Sequence, residues 1–215
     1  MAKTYELEEL NFERLFYTPL VRFKVANHEE LNRELLDLYE KIFREDNSHD
    51  PKSNLGGWHS RGNLFNRTDK SIETIQKLAE KAVYSVTNSV SKKVSPESHR
   101  INWFAWLNSS HPGAINIPHT HPMAHWSGVY YISQPHTNHK YSGKLEFLDP
   151  RSDLPNWRII GGPAFRPKRR FRPQEGEIVI FPSYLTHWVY PNDTDENRLS
   201  LAFNATFKRK KQRKP

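Results

Sequence analysis

Residues 177–204, EIVIFPSYLTHWVYPNDTDENRLSLAFN, decide the fold that the sequence predicts. They contain a strand, a break at Pro182 and Ser183, a second strand with His187, a turn rich in Asn and Asp, and a final strand that carries Arg198. Similar short segments, rich in β-branched and aromatic residues, precede them from position 101 onward: INWFAWL (101–107), WSGVYYIS (126–133) and KLEFLDP (144–150). No helical pattern separates these strands after about residue 95. The second half therefore favours an antiparallel barrel or a double-sheet jelly roll.

The first half begins with one predicted strand and one predicted helix. LVRFKVA (20–26) alternates apolar and polar residues, which indicates a half-buried strand, and Pro19 before it is typical of a strand start or an edge. The helix is predicted from Asn27, a suitable N-cap with Glu30 three residues later, to about Arg44.

A loop and a second helix follow. Residues 45–67 have no hydrophobic period and many turn formers, so we expect a loop there. The helical pattern returns after Thr68 or Asp69, either of which can cap the second helix. The fold class is therefore mainly β with α, and we expect the two helices to pack on one outer face of the β-structure.

The length of 215 residues is enough for one domain with a buried core. We expect this domain to span 1–207, with a strand and helices at 1–99 that support a jelly-roll core with the site at 100–207. Residues 208–215 are expected to form a basic disordered tail.

The composition restricts both location and chemistry. No apolar run is long enough to cross a membrane, and MAKTYELEEL does not resemble a signal peptide, so we expect a soluble cytoplasmic protein with no membrane partner. The absence of cysteine excludes disulfides, thiolate catalysis and iron–sulfur clusters. A metal must therefore be bound by His, Asp or Glu.

The positive charge is concentrated in two segments. The net charge is +8, from 32 basic and 24 acidic residues. KRKKQRK (208–214) contains six of the basic residues and RPKRRFR (166–172) contains five, which leaves 21 in the rest of the chain. The remainder is slightly acidic, so any general attraction for polyanions depends on these two segments.

Histidines are concentrated in one part of the chain. Six of the 11 lie between positions 101 and 145, a window without Asp or Glu. His119 and His121 are two residues apart, so on an extended strand their side chains share a face and can bind one metal. His125 does not fit this spacing. The alternative for such a pair is a polar surface without a metal.

The ordered set of HxH, SGVYYIS, GEIVIFPSYLTHWVYPN and RLSLAFN resembles the iron(II)- and 2-oxoglutarate-dependent oxygenases, and within them a small group common in bacteria and their phages. The likeness covers roughly residues 100–207. It implies a double-stranded β-helix fold, Fe(II) and 2-oxoglutarate as cofactors, and a dioxygenase that hydroxylates its substrate while 2-oxoglutarate is converted to succinate.

The same resemblance implies a set of iron ligands. His119 and His187 match the two histidines of the family's triad, and His121 occupies the place of the usual carboxylate. An all-imidazole site lacks the negative charge of that carboxylate, although three-His iron centres serve dioxygenases of the cupin type. The alternatives are a two-His centre completed by Glu146 or by water, and no metal at all.

The resemblance also implies a binding site for 2-oxoglutarate. Arg198 and Ser200 match the family's R-x-S pair, and a guanidinium offers a planar fork to a carboxylate. The alternative for Arg198 is an ion pair with Glu196 or Asp195. Further candidates for cosubstrate contacts lie on strands that we expect to face the interior of the jelly roll: Tyr130, Tyr131, Asn116 and Asn204.

Two aromatic features have both a functional and a structural interpretation. GGWHS (56–60) is a candidate wall of the substrate site, or else ordinary packing. Trp126 and Trp188 lie next to the histidines in sequence, so they are candidates to exclude water from the iron, or else part of the core.

Three functions remain open. The first is the 2-oxoglutarate-dependent hydroxylase, the second is a three-His cupin-like dioxygenase without 2-oxoglutarate, and the third is a nucleic-acid-binding module that uses the two basic segments. The tail at 208–215 can bind polyanions weakly but contains no aromatic residue for stacking on bases. The substrate can be a small molecule, a peptide or protein side chain, or a nucleic acid.

Overall fold

The computed structural model describes residues 16–46, 53–151 and 159–210. Within these ranges the chain forms two long α-helices and eleven β-strands. The helices are α1 (His28–Glu45) and α2 (Lys70–Val90). The strands are β1 (Val21–Lys24), β2 (Asn54–Leu55), β3 (Trp58–His59), β4 (His99–Ser110), β5 (Ile115–His119), β6 (Trp126–Ser133), β7 (Leu145–Leu148), β8 (Lys168–Phe171), β9 (Glu177–Pro182), β10 (His187–Val189) and β11 (Arg198–Arg209).

The strands form two sheets whose paired strands are all antiparallel. One sheet has six strands in the order β1-β9-β6-β11-β4-β3, and the other has five in the order β2-β5-β10-β7-β8. This double-sheet arrangement confirms the predicted jelly roll. Both helices pack on one face of the six-stranded sheet, as the sequence predicts. Neither is long and apolar enough to cross a membrane.

The alternation along β11 separates the core from the site. Leu201 and Phe203 are fully buried and pack against the helix side of the sheet. Burial of each such side chain stabilises the fold by roughly 1.5–3 kcal/mol. Arg198, Ser200 and Asn204 point the other way, into the space between the sheets. One face of the strand therefore stabilises the domain while the other faces a cavity.

The start of α1 differs from the predicted capping box. Asn27 is the N-cap residue, but its backbone is left-handed, with φ of 52°, and its side chain makes no capping hydrogen bond. An N-cap residue normally has an extended backbone, which lets its side chain reach the first free amides of the helix. The predicted boundary was correct, and the predicted hydrogen bonds were wrong.

The region predicted as a loop contains short secondary structure. β2, β3 and a 3₁₀ turn at Leu64–Asn66 all fall within 45–67, of which 47–52 lie outside the described residues. Each of these strands has two residues, too few for an alternating pattern. Each of them pairs with a longer strand at one end of its sheet, β2 with β5 and β3 with β4.

The final strand extends into the segment predicted as a tail. Lys208 and Arg209 pair with Arg100 and His99 of β4, and the backbone N–H of Lys210 donates to the carbonyl of Ser98 at 2.9 Å. The predicted start of the tail at 208 was therefore wrong, because β4 offers a partner up to this point. Residues 211–215 lie outside the described part of the chain.

Candidate metal centre and cosubstrate pocket

Three histidines meet between the two sheets. His119 ends β5 and His187 begins β10, and the two residues are directly opposite each other in the strand pair. His121 follows β5, where its backbone N–H donates to the carbonyl of Ser183 at 2.8 Å. One potential ligand atom from each of the three rings lies within 4.8 Å of the other two. The structure thus brings together the three histidines that the sequence predicts.

Hydrogen bonds orient two of the rings. Nδ1 of His119 donates to the carbonyl of Ile117 at 2.7 Å, and Nδ1 of His187 donates to the carbonyl of Leu185 at 2.9 Å. Each proton on Nδ1 leaves the lone pair on Nε2 available. Metal-binding histidines in proteins are commonly oriented in this way.

Burial keeps the cluster neutral at physiological pH. Loss of solvent lowers the pKa of His187 to about 3 and that of His121 to about 4, and the neighbouring His119 adds to both effects. Burial also lowers the pKa of His119. A metal needs the neutral form of imidazole. The three side chains are therefore available as ligands without losing a proton.

Aromatic rings surround the cluster, but they are not the predicted ones. The ring centroids of Phe181 and Phe147 lie 4.7 and 6.1 Å from that of His187. Trp106 lies 5.8 Å from His121 and lines the cavity. The alternation in INWFAWL was the signal that could have identified Trp106, which faces opposite to the buried Ala105 and Leu107.

The predicted water barrier of Trp126 and Trp188 was wrong. Trp126 is buried in the helix-side core. Trp188 is on the other face of its strand from His187, and the Nζ atom of Lys168 lies 5.2 Å from its ring centroid. Adjacent positions in a strand point to opposite faces, so closeness to His187 in sequence argued against the predicted contact.

Glu146 lies outside the histidine cluster. It pairs with Trp188 in the β7–β10 register, so it faces away from His187. There it accepts hydrogen bonds from the hydroxyl of Tyr190 and from Arg170, whose Nη1 lies 3.3 Å away. The position contradicts the alternative in which Glu146 completes the metal site.

Arg198 is buried in the same cavity as the histidines. Its side chain donates from Nε to Oε1 of Gln134 at 3.3 Å, and its guanidinium carbon lies 5.1 Å from the ring centroid of Tyr131. Among the residues described, no carboxylate forms an ion pair with it, so the predicted alternative of Glu196 or Asp195 is not observed. Burial lowers the pKa of Arg198.

Tyr131 has a buried hydroxyl beside this guanidinium. Burial raises the pKa of Tyr131 to about 12, although Arg198 acts in the opposite direction. Within the described structure this hydroxyl interacts with Arg198 but forms no well-aligned hydrogen bond. A bound carboxylate could accept a better one.

The remaining candidates for cosubstrate contacts divide between the two faces. Ser200, Asn116 and Asn204 line the cavity, and Asn204 accepts a hydrogen bond from Ser127 at 2.8 Å. Tyr130 faces the helices instead, where its hydroxyl donates to Asn32. Its prediction as a cavity residue was wrong, because neighbours in a strand alternate and Tyr131 has the inward position.

The GGWHS segment serves packing in this structure. Trp58 is almost completely buried against the rings of Tyr39 and Phe43, at 5.6 and 5.4 Å. The hydroxyl of Ser60 accepts the backbone N–H of Leu107 at 3.0 Å. The structural interpretation of this segment is therefore the correct one.

The groups that line the cavity suit a metal and a carboxylate. The cavity is small, with a volume of about 50 Å³ and an open mouth. It presents three neutral imidazoles, a choice that suits first-row transition metals such as iron. It also presents a buried guanidinium and a buried hydroxyl, both of which suit a carboxylate.

Known structures share this architecture. A Pseudomonas putida prolyl-4-hydroxylase is similar over 89% of this chain and 92% of its own, with a TM-score of 0.63 and 14% identity. HygX from Streptomyces hygroscopicus, solved with nickel and 2-oxoglutarate bound, is similar over 88% and 83%, with a TM-score of 0.61 and 12% identity. At these identities the likeness shows the fold. No curated protein matches the chain in sequence.

The sequence also matches a family model. Residues 104–204 match the family described as "Putative 2OG-Fe(II) oxygenase", and the matched region includes all three histidines and Arg198. The class is therefore that of the iron(II)- and 2-oxoglutarate-dependent oxygenases, which confirms the resemblance noted in the sequence. The match spans residues 104–204, a little under half of the chain, and it indicates Fe(II) and 2-oxoglutarate as the cofactors.

Proposed function

We propose that the protein is a cytoplasmic dioxygenase that hydroxylates its substrate, with iron bound by His119, His121 and His187. The overall reaction consumes the substrate, O₂ and 2-oxoglutarate, and yields the hydroxylated product, succinate and CO₂. One observation carries the proposal: three neutral imidazoles share a cavity with a buried guanidinium that has no described carboxylate partner.

Arg198 is proposed to bind the distal carboxylate of 2-oxoglutarate. Its planar fork can donate two parallel hydrogen bonds to one carboxylate, and its burial strengthens the attraction. Ser200 lies two residues along the same strand and faces the same cavity, so its hydroxyl can add a donor. The buried hydroxyl of Tyr131, beside this guanidinium, can add another.

The bound iron supplies the activation of O₂ that a hydroxylation requires, and the chain supplies orientation and a dry site. The hydrogen bonds to the carbonyls of Ile117 and Leu185 fix the rings of His119 and His187. Phe147 and Phe181 cover one side of the cluster and reduce contact with water. Water exclusion strengthens the polar interactions inside the cavity.

The three-His dioxygenase without 2-oxoglutarate is the second candidate. Among the described residues the histidine cluster includes no carboxylate, which favours this candidate. Arg198 argues against it, because a buried guanidinium without a described counter-ion is costly unless an anion binds there. The two candidates differ in whether turnover requires 2-oxoglutarate.

The experiment is uncoupled turnover by the purified full-length protein. We expect succinate to form from 2-oxoglutarate only when Fe(II) and O₂ are both present. The matched control is the Arg198→Ala variant with the same iron content, which should form much less succinate at low 2-oxoglutarate. Iron-dependent consumption of O₂ that is unchanged without 2-oxoglutarate would support the second candidate instead.

A further inference from the structure

The pairing of β4 with β11 extends beyond the cavity. Both strands have 12 residues and pair from Arg198 with Ser110 to Arg209 with His99 without a break in register. The strands that face them, β5 and β10, have only five and three residues. The inner face of the β4–β11 pair is therefore open at one end. We call this open surface the ledge, and its residues are Arg100, Asn102, Phe104, Asn204, Thr206 and Lys208.

Aromatic rings connect the ledge to the histidine cluster. Phe104 is 51% exposed, which is high for such a large apolar side chain, and it faces the same way as Trp106. Their ring centroids are 5.7 Å apart, and the next step, from Trp106 to His121, is 5.8 Å. A planar group stacked on Phe104 would therefore lie at the entrance to the cavity.

Cationic side chains lie at the outer end of the ledge. Arg100 and Lys208 are directly opposite each other in the strand pair, and both are exposed. Neither forms an ion pair with a residue in the described ranges. The basic run 208–214 starts here, and Glu97 interacts with Lys210. No ledge residue is acidic, so the surface favours an anion.

We propose that the ledge binds single-stranded nucleic acid as the substrate of the oxygenase, an inference that rests on the proposed function. A base stacks on Phe104, and phosphates contact Arg100 and Lys208. Exposed aromatic rings next to a cationic surface are the usual combination in proteins that bind single strands. The amide of Asn102 lies between Phe104 and Arg100, and that of Asn204 lies beside Phe104, so both suit hydrogen bonding to base edges.

The dimensions favour a chain over a single nucleotide. The Cα atoms of Arg100 and Phe104 are four strand residues apart, about 13 Å. This separation exceeds the distance between base and phosphate within one nucleotide. The basic run itself contains no aromatic residue for stacking. The fold supplies one, because β11, which leads into that run, pairs with β4, and Asn204 of β11 is opposite Phe104 of β4.

The test is binding of a fluorescently labelled single-stranded oligonucleotide to the full-length protein without iron or 2-oxoglutarate. Fluorescence anisotropy over a range of salt concentrations gives the Kd and its salt dependence. Phe104→Ala should raise the Kd roughly tenfold through loss of stacking. Replacement of both Arg100 and Lys208 by Gln should reduce the slope of log K against log salt by about 1.4, or roughly 0.7 per cation.

Matched controls lie on the helices behind the sheet. Lys77→Gln removes an exposed cation from α2, and Leu36→Ala removes an exposed apolar side chain from α1. Both should leave the Kd unchanged. The inference is overturned if Phe104→Ala has no effect, or if only substitutions at 210–214 weaken binding. Equal affinity for duplex DNA, or tighter binding of an aromatic acidic peptide of the same charge, would also overturn it.

Binding and turnover can fail separately. Protein that binds the oligonucleotide through Phe104 but forms no succinate would contradict the proposed function and leave the ledge supported. Protein that forms succinate but does not bind the oligonucleotide would contradict the ledge alone. If the protein both binds the oligonucleotide through Phe104 and forms succinate, the oligonucleotide should also accelerate succinate formation by the wild-type protein.

Discussion

His119 and His187 lie directly opposite each other in the β5–β10 pair, with their ring centroids 4.3 Å apart. Each ring donates from Nδ1 to the carbonyl of the residue two positions earlier in its own chain segment. Strand register and local backbone thus fix both imidazoles before any metal binds. His121, placed by its own backbone hydrogen bond to Ser183, completes the cluster from the following turn.

Substitutions at His121 test its role as the third ligand. His121→Asp restores the carboxylate usual in the class and should retain iron. His121→Ala removes a ligand and should weaken iron binding by about 3 kcal/mol or more, roughly 100-fold. Metal content of the purified variants and anaerobic Fe(II) titration measure the effect.

The control for this series is Glu146→Gln. Glu146 is on the far face of its sheet with Tyr190 and Arg170, so iron binding should be nearly unchanged in this variant. Retention of iron by His121→Ala together with its loss in Glu146→Gln would contradict the three-His site.

Arg198 should control the affinity for 2-oxoglutarate and not for iron. Arg198→Ala removes a bidentate charge-assisted contact, and we expect the KM for 2-oxoglutarate to rise roughly 30- to 100-fold. Arg198→Lys should fall between this variant and the wild type, because it keeps the charge but loses the fork. Succinate formation against 2-oxoglutarate concentration is the measurement, and an unchanged KM at normal iron content would disprove the assignment.

Tyr131 should make stability fall at high pH. Its pKa is raised to about 12 in the folded protein, against 10.0 as the ordinary value. Between these values the unfolded chain loses this proton and the folded protein keeps it, so the free energy of unfolding falls as the pH rises from 10 to 12. Denaturant unfolding should show a smaller fall for Tyr131→Phe than for the wild type. Identical curves would contradict the burial of a protonated hydroxyl.

Gly128 is a position where packing allows no side chain. A Cβ there would lie 2.2 Å from the ring of Phe203, on the strand paired with it. Gly128→Ala should destabilise the fold by about 1–3 kcal/mol. Because the clash needs both groups, Phe203→Leu should partly relieve it. In a double-mutant cycle the double variant should then be destabilised by less than the sum of the two single variants. Strict additivity would mean that the ring moves away without cost.

The sequence was most informative where its pattern was long. The apolar residues of α1 and α2 recur with a helical period over many residues, and the alternation of side chains that is typical of strands extends along β4, β6 and β11. These elements were therefore predicted with boundaries close to those observed. β2, β3 and β5 were not predicted as separate strands, because two to five residues carry little periodic signal. β8 was missed because the basic segment 166–172 does not resemble a strand.

The candidate site was partly predictable for the same reason. The i, i+2 spacing of His119 and His121 and the family motifs indicated which histidines to group, and the structure brings those side chains together. The sequence could not show that Trp106 borders the cluster or that Glu146 faces outward. Both depend on which face of each strand turns toward the other sheet, a property of register between segments distant in sequence.

X-ray absorption spectroscopy of the anaerobic Fe(II)-loaded protein tests the central claim most directly. We predict three imidazole nitrogens at roughly 2.0–2.2 Å from the iron, with no carboxylate ligand from the protein. Addition of 2-oxoglutarate should then bring new oxygen ligands and a visible charge-transfer band while the three imidazoles remain. A spectrum with two imidazoles, or one that 2-oxoglutarate leaves unchanged, would contradict the account.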